Sequence, residues 1–240
     1  MAISARLIRG SDTQRSYSSL SPVTGRTTLR VPRRPLTKSW RKTHVLQDVG
    51  MTRIVAGRAG GRRLKVPAQG TRPTSERVRE ALFNALESAG ELRGRRVLDL
   101  YAGSGALGLE ALSRGASGAL FVESDRRAVG VLRANVADLR LGGTVRAGTV
   151  ESVLAKPADE PFDLVLADPP YAVDTARLGV MLTALAEGGW VAEDGLVIIE
   201  RARRDGEPDW PAGFEPLRTM SHGDTAMYWA EYVTSSRQAG

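Results

Sequence analysis

A glycine-rich segment that directly follows an apolar run is the first candidate ligand site in this sequence. The segment is Asp99-Leu-Tyr-Ala-Gly-Ser-Gly-Ala-Leu-Gly108. Glycines at a strand-to-helix turn let the backbone approach a ligand at a helix N-terminus. Glu123 ends the next strand-like run, where its carboxylate can accept both hydroxyls of a ribose. The spacing therefore predicts a site for a nucleotide or a nucleoside.

The glycines alone do not identify the ligand. Residues Gly103 to Gly108 match the G-x-G-x-x-G pattern of dinucleotide-binding proteins, so a nicotinamide dehydrogenase is an alternative, as is a tight turn that binds nothing. Asp99 favours a different cofactor. An acid just before the glycines would repel a pyrophosphate but attract the positively charged amino-acid end of S-adenosylmethionine.

The second candidate site is Asp168-Pro-Pro-Tyr171, which follows a strand-like run over residues 162–167. Two successive prolines fix the backbone and donate no hydrogen bond, so the loop offers carbonyl oxygens beside the Asp168 carboxylate. Such acceptors suit an aromatic amine, whose lone pair they can turn toward an incoming methyl group while Tyr171 stacks on the base. The structural alternative is a rigid turn in which Asp168 caps a helix.

The elements that must position these segments follow an alternating pattern. Predicted strands cover residues 97–101, 119–123, 145–150, 162–167 and 196–200, and predicted helices cover residues 105–114, 126–140 and 174–187. This alternation is typical of an α/β fold with a parallel sheet and helices on both faces. Strand-like runs at 214–220 and 226–233 predict a C-terminal antiparallel hairpin. Runs at 53–57 and 62–66, around glycines, predict a small N-terminal β-hairpin, and a helix follows over residues 76–89.

Positive charge is concentrated at the start of the chain. The 240 residues carry a net charge of +7, but residues 1–50 alone carry ten basic and two acidic residues, and residues 51–79 carry eight basic residues and one acid. Residues 1–50 lack a periodic apolar pattern, and we therefore expect them to form a mostly disordered basic extension. Residues 51–90 are predicted to form a basic hairpin plus helix that binds the phosphates of a polyanion, because few aromatic side chains accompany the arginines. Residues 91–240 are then expected to form a separate domain, and this charge distribution is typical of a catalytic unit with an attached polyanion-binding part.

The composition also excludes several classes of protein. The chain has no cysteine, which rules out disulfides, thiolate metal sites and a cysteine nucleophile. No apolar stretch approaches the length of a membrane span, because even the run that ends at Ile199 stops at Glu200.

Taken together, these motifs resemble one family. Asp99-Leu-Tyr-Ala-Gly-Ser-Gly, Glu123 and Asp168-Pro-Pro-Tyr are similar to the Rossmann-like, seven-stranded, S-adenosylmethionine-dependent methyltransferases that act on amino nitrogens. More narrowly, Arg53-Ile-Val-Ala-Gly, Gly61-Arg-Arg-Leu and Arg72-Pro-Thr-Ser-Glu-Arg-Val-Arg-Glu-Ala-Leu-Phe-Asn84 resemble the RsmD family of bacterial 16S rRNA guanine-N2 methyltransferases. The resemblance runs from about Arg53 to Tyr232 and leaves residues 1–50 without a counterpart.

The resemblance implies a cytoplasmic enzyme that needs no metal and methylates one guanine of 16S rRNA, position 966 in the family, within an assembling small ribosomal subunit. We expect a monomer by default. It assigns catalysis to Asp168, Pro169, Pro170 and Tyr171. The S-adenosylmethionine site would use Asp99, Tyr101, Gly103, Ser104, Gly105, Glu123, Thr149 and Val150, the last two at the adenine edge. RNA contacts are expected from Arg53, Arg58, Arg62, Arg63, Lys65, Arg72, Arg77 and Arg79.

Three alternatives to this function remain. The Asp-Pro-Pro-Tyr loop also suits a DNA adenine-N6 methyltransferase, which would be expected to carry a separate target-recognition domain. A protein-glutamine methyltransferase would be expected to begin this loop with asparagine. A non-enzymatic RNA-binding module for ribosome assembly could retain the fold as a relic, although the acids Asp99, Glu123 and Asp168 are all intact.

Overall fold

The computed structural model of the protein describes residues 50–67 and 75–234, so the predicted extension over residues 1–49 and the predicted RNA contact Arg72 lie outside the described residues. The strands are β1 Gly50–Arg53, β2 Arg63–Val66, β3 Arg96–Leu100, β4 Gly118–Glu123, β5 Thr144–Ala147, β6 Phe162–Ala167, β7 Val191–Ala202, β8 Phe214–His222 and β9 Thr225–Tyr232. The α-helices are α1 Glu76–Ala89, α2 Ala106–Ser113, α3 Arg126–Leu139, α4 Val150–Leu154 and α5 Thr175–Glu187. Two short 3₁₀ turns cover Gly57–Ala59 and Arg203–Asp205.

Seven strands form the central sheet in the order β5-β4-β3-β6-β7-β9-β8. Strands β3 to β7 are parallel to their neighbours, while β9 pairs antiparallel with both β7 and β8. The predicted parallel sheet with a C-terminal antiparallel hairpin is therefore confirmed. After β3 the chain adds β4 and β5 on one side of β3, and then β6 on its other side. The strand order thus changes direction between β3 and β6, and ligands of α/β folds bind at the carboxyl ends of the strands at such a point.

Helices cover both faces of this sheet, which explains why its central strands β3, β4 and β6 are mostly apolar. Successive strand residues point to opposite faces. Val97 accordingly packs into a cluster with Leu109 of α2 and Leu132 of α3, whereas Leu98 packs into a second cluster with Leu182 of α5. None of the helices in the described ranges combines the length and apolarity that crossing a membrane requires.

The N-terminal hairpin is present, but its first strand lies at Gly50–Arg53 instead of residues 53–57, and its second strand covers Arg63–Val66. Strands β1 and β2 pair antiparallel, and residues 54–62 form the turn between them. Residues Val55 and Ala56 leave the strand because their amide groups donate to the two carboxylate oxygens of Glu110, at 2.7 and 3.0 Å. Gly57 then takes a φ of +82°, and a Cβ there would lie 2.1 Å from the carbonyl oxygen of Ser113. The turn thus packs directly on α2.

Two other predicted elements differ from the observed ones. The strand expected over residues 145–150 ends at Ala147, because Thr149 caps helix α4 by accepting a hydrogen bond from the Ser152 amide at 3.2 Å. Strand β7 extends from Val191 to Ala202 rather than over residues 196–200, and its register shifts against β6 where the polar residues before Gly195 interrupt the apolar run.

Candidate functional site

A cavity of about 400 Å³ opens at the carboxyl ends of the parallel strands. Both predicted motifs border it: Tyr101 and Glu123 at the ends of β3 and β4, and residues 168–171 after β6. Their adjacency follows from the sheet, since Leu100 pairs with Ala167 at the last register position of β3 and β6. A donor held by the glycine segment and an acceptor held by the proline loop would therefore share one space.

A second cavity, of about 460 Å³, lies at the opposite end of the strands. It is lined by residues at the start of their strands, among them Arg96, Gly118, Thr144 and Phe162. None of the predicted site residues that the structure describes borders it, and ligands of α/β sheets bind at the carboxyl ends. We therefore place the candidate site in the first cavity.

The glycine segment makes the sharp turn that the sequence predicts. Gly103 and Gly105 have φ values of +54° and +80°, in the left-handed region that glycine adopts without strain. A Cβ on Gly105 would lie 2.4 Å from a methyl group of Leu132, so any larger residue would also have to move that buried side chain. Tyr101 has a φ of +58° as well, which is unusual for a residue with a side chain and is typical of functional loops.

Glu123 binds the glycine segment and lines the cavity. Its Oε2 accepts a hydrogen bond from the Gly103 amide at 2.8 Å, and its Oε1 accepts one from the Asp125 amide at 2.7 Å. Each carboxylate oxygen has a second acceptor site. The side chain is thus fixed in place, and its remaining acceptor sites are the ones that the sequence predicts to bind ribose hydroxyl groups.

Asp99 lies beneath the glycine segment, and this differs from its predicted place beside the cofactor. Its side chain is buried, with a residue exposure of 1%, and Oδ2 accepts a hydrogen bond from the Gly108 amide at 2.9 Å. The strand register turns this side chain toward α2, so it orders the first turn of that helix. Burial raises the pKa of Asp99 to about 8, and the negative charge of Glu123 adds to the shift.

This pKa predicts a pH-dependent contribution to stability. Between the ordinary pKa of an aspartate and about 8, the folded carboxyl group keeps a proton that the unfolded chain releases, so stability falls as the pH rises through this interval. We expect the Asp99→Asn variant, whose amide is neutral at every pH, to lose less stability than the wild type between pH 5 and pH 8. Urea unfolding at both pH values measures the difference, and equal losses would contradict the assignment.

The proline loop presents its polar groups at the mouth of the cavity. Asp168 and Pro169 are half-buried, whereas Tyr171 is 70% exposed. The loop is held at its start by the Asp168 amide, which lies 3.5 Å from the carbonyl oxygen of Leu100, and at its end by the Val173 amide, which donates to the Pro170 carbonyl at 2.9 Å. The exposed ring of Tyr171 is thus available as a stacking surface.

Tyr101 is fixed against helix α5 at the inner wall of the cavity. Its hydroxyl group donates to the sulfur of Met181 at 3.8 Å. Burial, with the nearby charge of Glu151, raises the pKa of Tyr101 to about 12. The phenol is therefore neutral at physiological pH and serves as an apolar wall with one polar end.

Thr149 and Val150, which the sequence predicts at an adenine edge, do not border this cavity, and neither do residues 103–105 of the glycine segment. Thr149 caps helix α4, and Val150 is buried with an exposure of 3%. The wall beyond Glu123 is instead formed by Ser124, Asp125 and Ala128 at the start of α3. Their position directly after the carboxyl end of a parallel strand was the signal available in the sequence.

The far wall comes from residues to which the sequence analysis gave no site role. Glu200 and Arg201 line the cavity at the end of β7, and His222 and Thr225 line it at the turn between β8 and β9. Because β9 runs antiparallel to β7, with Ala202 opposite Thr225, that turn returns to the same edge of the sheet. The antiparallel hairpin predicted for the C-terminus was the signal for this placement.

Most of the predicted RNA contacts are exposed, and several are tethered to the helices. Arg53 forms an ion pair with Glu76 at 3.0 Å, and Lys65 forms one with Asp138 at 3.2 Å. Arg62 donates to the carbonyl of Asp138 at 2.7 Å. The exposed members in the described ranges are Arg53, Arg58, Arg62, Arg63, Lys65 and Arg77. We call Arg58, Arg62, Arg63 and Lys65 the basic hairpin surface.

Arg79 is the exception, and its assignment as an RNA contact is wrong. Its exposure is 0%, and its Nε lies 3.6 Å from Oε2 of Glu110, which is also fully buried. Glu110 Oε1 in turn accepts a hydrogen bond from Nε of Arg114 at 2.7 Å. Burial lowers the pKa of Arg79, and the carboxylate of Glu110 opposes that shift. This buried cluster of Arg79, Glu110 and Arg114 stabilises the packing of the hairpin and α1 against α2.

Comparison with known proteins gives this site its context. The model of the family described as "Conserved hypothetical protein 95" matches residues 52–231. Ribosomal RNA small subunit methyltransferase D of Escherichia coli strain K12 is 40% identical over 182 residues, which cover 74% of this chain and 88% of that protein. The protein of the same name from Haemophilus influenzae is 36% identical over 156 residues, covering 63% of this chain and 79% of that protein.

Solved structures agree with the fold. A protein from Escherichia coli assigned as a methyltransferase, yhhF, superposes with a TM-score of 0.69 at 36% identity and covers 78% of this chain and 100% of its own. The family model spans the hairpin, the glycine segment, the proline loop and the end of the sheet. The chain therefore belongs to the RsmD family of methyltransferases.

Proposed function

We propose that this protein transfers a methyl group from S-adenosylmethionine to the exocyclic N2 amine of a guanine in small-subunit rRNA. The observation that carries the proposal is the single cavity bordered by both Glu123 and Asp168. When bound, S-adenosylmethionine supplies an activated methyl group on a sulfonium, which leaves without acid or metal assistance. The task of the protein is then to bind the reactants in line and to exclude water.

The residues around the cavity fit this cofactor. The volume of about 400 Å³ lies within the range of small-molecule sites. Glu123 offers carboxylate acceptors for ribose hydroxyls, and Gly103 places no side chain between the loop and the ligand. The neutral wall at Tyr101 suits the uncharged adenine of the cofactor. Asp99 supports this loop from below through the Gly108 amide.

On the acceptor side, the proline loop orients the amine. Asp168 and the Pro169 carbonyl accept hydrogen bonds from the two N–H groups of the guanine amine, which directs the nitrogen lone pair toward the methyl carbon. Tyr171 stacks on the base, which must leave its helical stack to reach the cavity. Asp168 need not remove a proton before transfer, because the methylated amine can release it to solvent afterwards.

The RNA substrate is supported by charge and by relatedness. The relatives named above are rRNA methyltransferases of the small subunit. The basic hairpin surface ends next to Pro67, which itself lines the cavity, so phosphates bound there would lie beside the target base. In this proposal residues 51–90 are the RNA-binding part, residues 91–240 are the methyltransferase domain, and a cytoplasmic location follows from the substrate.

The direct test uses the complete protein with tritiated S-adenosylmethionine and undermethylated small ribosomal subunits, followed by mapping of the labelled nucleoside. We expect label in N2-methylguanosine at one position. Label in adenine of added duplex DNA would favour the adenine-N6 alternative. Cofactor binding without any transfer to subunits or to naked rRNA would favour the non-enzymatic module.

The double variant Arg62→Ala/Arg63→Ala tests the basic hairpin surface. Both side chains are exposed, and loss of about two phosphate contacts should lower the slope of log affinity against log salt by nearly 2 and weaken RNA binding. Cofactor affinity should be unchanged. Filter binding to a small-subunit rRNA transcript at several salt concentrations measures the slope, and Arg95→Ala, at the opposite end of β3, is the matched control. An unchanged slope would refute this RNA contact.

A further inference from the structure

Asn135 is a buried amide that bridges two parts of the proposed site. It lies within α3, where most inward-facing residues are apolar, and its exposure is 2%. Its Oδ1 accepts a hydrogen bond from the Lys65 amide at 3.0 Å. Its Nδ2 donates to the Lys65 carbonyl at 2.9 Å and to the Ser104 carbonyl at 2.9 Å. One side chain therefore joins strand β2 of the hairpin to the glycine segment.

The chemistry of the amide explains why this residue type suits the position. Asparagine has two N–H donors and one carbonyl acceptor, and all three groups are used here. Toward Lys65 the side chain pairs as a neighbouring strand would, and its remaining N–H reaches the glycine segment. No apolar residue of similar size can replace these bonds, and an aspartate would lack both donors.

The bridged groups belong to the two halves of the proposed site. Ser104 lies between Gly103 and Gly105, whose left-handed backbone forms the turn beside the cofactor. Lys65 belongs to the basic hairpin surface and lies two residues before Pro67, a residue of the cavity wall. If RNA binding shifted β2, Lys65 would move. Lys65 is the hydrogen-bond partner of the Asn135 amide, which also holds the glycine segment through the Ser104 carbonyl.

We propose that Asn135 is a positioning residue that couples RNA binding at the hairpin to cofactor binding at the glycine segment. This inference rests on the proposed function. Such coupling is reciprocal, so RNA should tighten cofactor binding by the same factor by which the cofactor tightens RNA binding. We expect a factor of at least about 5 in the wild type, which is the lower range for coupled sites.

The test compares Asn135→Leu with the control Ser113→Ala in the full chain. Ser113 is equally buried and also anchors the hairpin, since its Oγ accepts from the Ala59 amide at 2.9 Å and donates to the Ala56 carbonyl. It does not touch the glycine segment. Calorimetric titration with S-adenosylmethionine, with and without a small-subunit rRNA transcript, gives the cofactor Kd and the coupling factor.

In Asn135→Leu we expect the cofactor Kd to rise about tenfold, as for loss of one buried hydrogen bond, and the coupling factor to fall to about 1. Ser113→Ala should keep the wild-type values of both. Wild-type coupling in Asn135→Leu, or equal loss in both variants, would overturn the proposal. If the wild type bound no S-adenosylmethionine, the proposed function itself would fail, which is a separate result.

Hydrogen exchange on the wild type provides a measurement that does not depend on a variant folding. The Lys65 amide bonds to Asn135, whereas the Ala59 amide in the same hairpin bonds to Ser113. Saturating S-adenosylmethionine should slow exchange at Lys65 by at least about fivefold more than at Ala59, matching the proposed coupling. Equal slowing at both amides would overturn the proposal, because general stabilisation of the fold by a bound ligand would then explain the slower exchange.

Discussion

Replacement of Asp168 by alanine is expected to lower the rate of methyl transfer by at least about 100-fold, because a misplaced reacting group costs a factor of this order. The side chain lies at the mouth of the cavity, directly after the strand end that pairs with Leu100. Its carboxylate is proposed to hold the amine and not the cofactor. The Kd for S-adenosylmethionine should therefore stay within about twofold of the wild-type value, since this variant removes no cofactor contact.

Asp168→Asn is the matched variant for this prediction. Asparagine keeps one side-chain oxygen that can accept a hydrogen bond from the amine, so its rate should lie between those of the wild type and Asp168→Ala. Single-turnover transfer from tritiated cofactor to undermethylated subunits separates the chemical step from product release. Near-normal transfer by Asp168→Ala would remove this residue from the reaction. A parallel loss of cofactor binding would assign it to the other half of the cavity.

The second large effect is expected at Glu110, the buried carboxylate between two arginines. Both side-chain ion pairs are inaccessible to solvent, at 0% exposure for Arg79 and Glu110 and 1% for Arg114. Glu110→Gln would leave both guanidinium groups without a buried counter-charge. Breaking such a pair costs about 3–5 kcal/mol, so we expect a fall in Tm of about 10 °C, measured by thermal unfolding.

Glu87→Gln is the control for Glu110→Gln. Glu87 also forms an ion pair with Arg114, at 2.6 Å, but its side chain is 47% exposed. Exposed pairs contribute at most about 1 kcal/mol, so its Tm should change by only a few degrees. An equal fall in Tm for the two variants would show that burial does not determine how much these ion pairs contribute to stability. If the hairpin stays packed in Glu110→Gln, the RNA affinity of this variant should be unchanged at temperatures below its unfolding transition.

The motifs predicted the site because their geometry is carried by the backbone. The glycine segment and the proline loop each follow a parallel strand, and parallel strands in one sheet end at the same edge. Chain order alone was therefore enough to bring Tyr101, Glu123 and Asp168 to one cavity. The family resemblance and the alternation of elements gave the same answer for the fold.

Side-chain direction was harder to predict. Local charge density assigned Arg79 to the surface, but it lies three and four residues before Leu82 and Phe83, on the face of α1 that is buried. Glu110, an acid within the apolar run of α2, was the missing partner, and the pairing joins residues distant in sequence. Asp99 was misplaced for a related reason, since strand alternation, and not its distance from the glycines, decides which face it meets.

The strand order also has a consequence for synthesis of the chain. Strand β9 is the last strand of the described residues, yet it lies between β7 and β8 and supplies Thr225 to the cavity. While the ribosome is still translating, β7 has no antiparallel neighbour and the far wall is incomplete. A nascent chain that ends before residue 225 would thus expose the edge of β7 to pairing with other chains. The far wall of the cavity is therefore complete only when β9 has emerged.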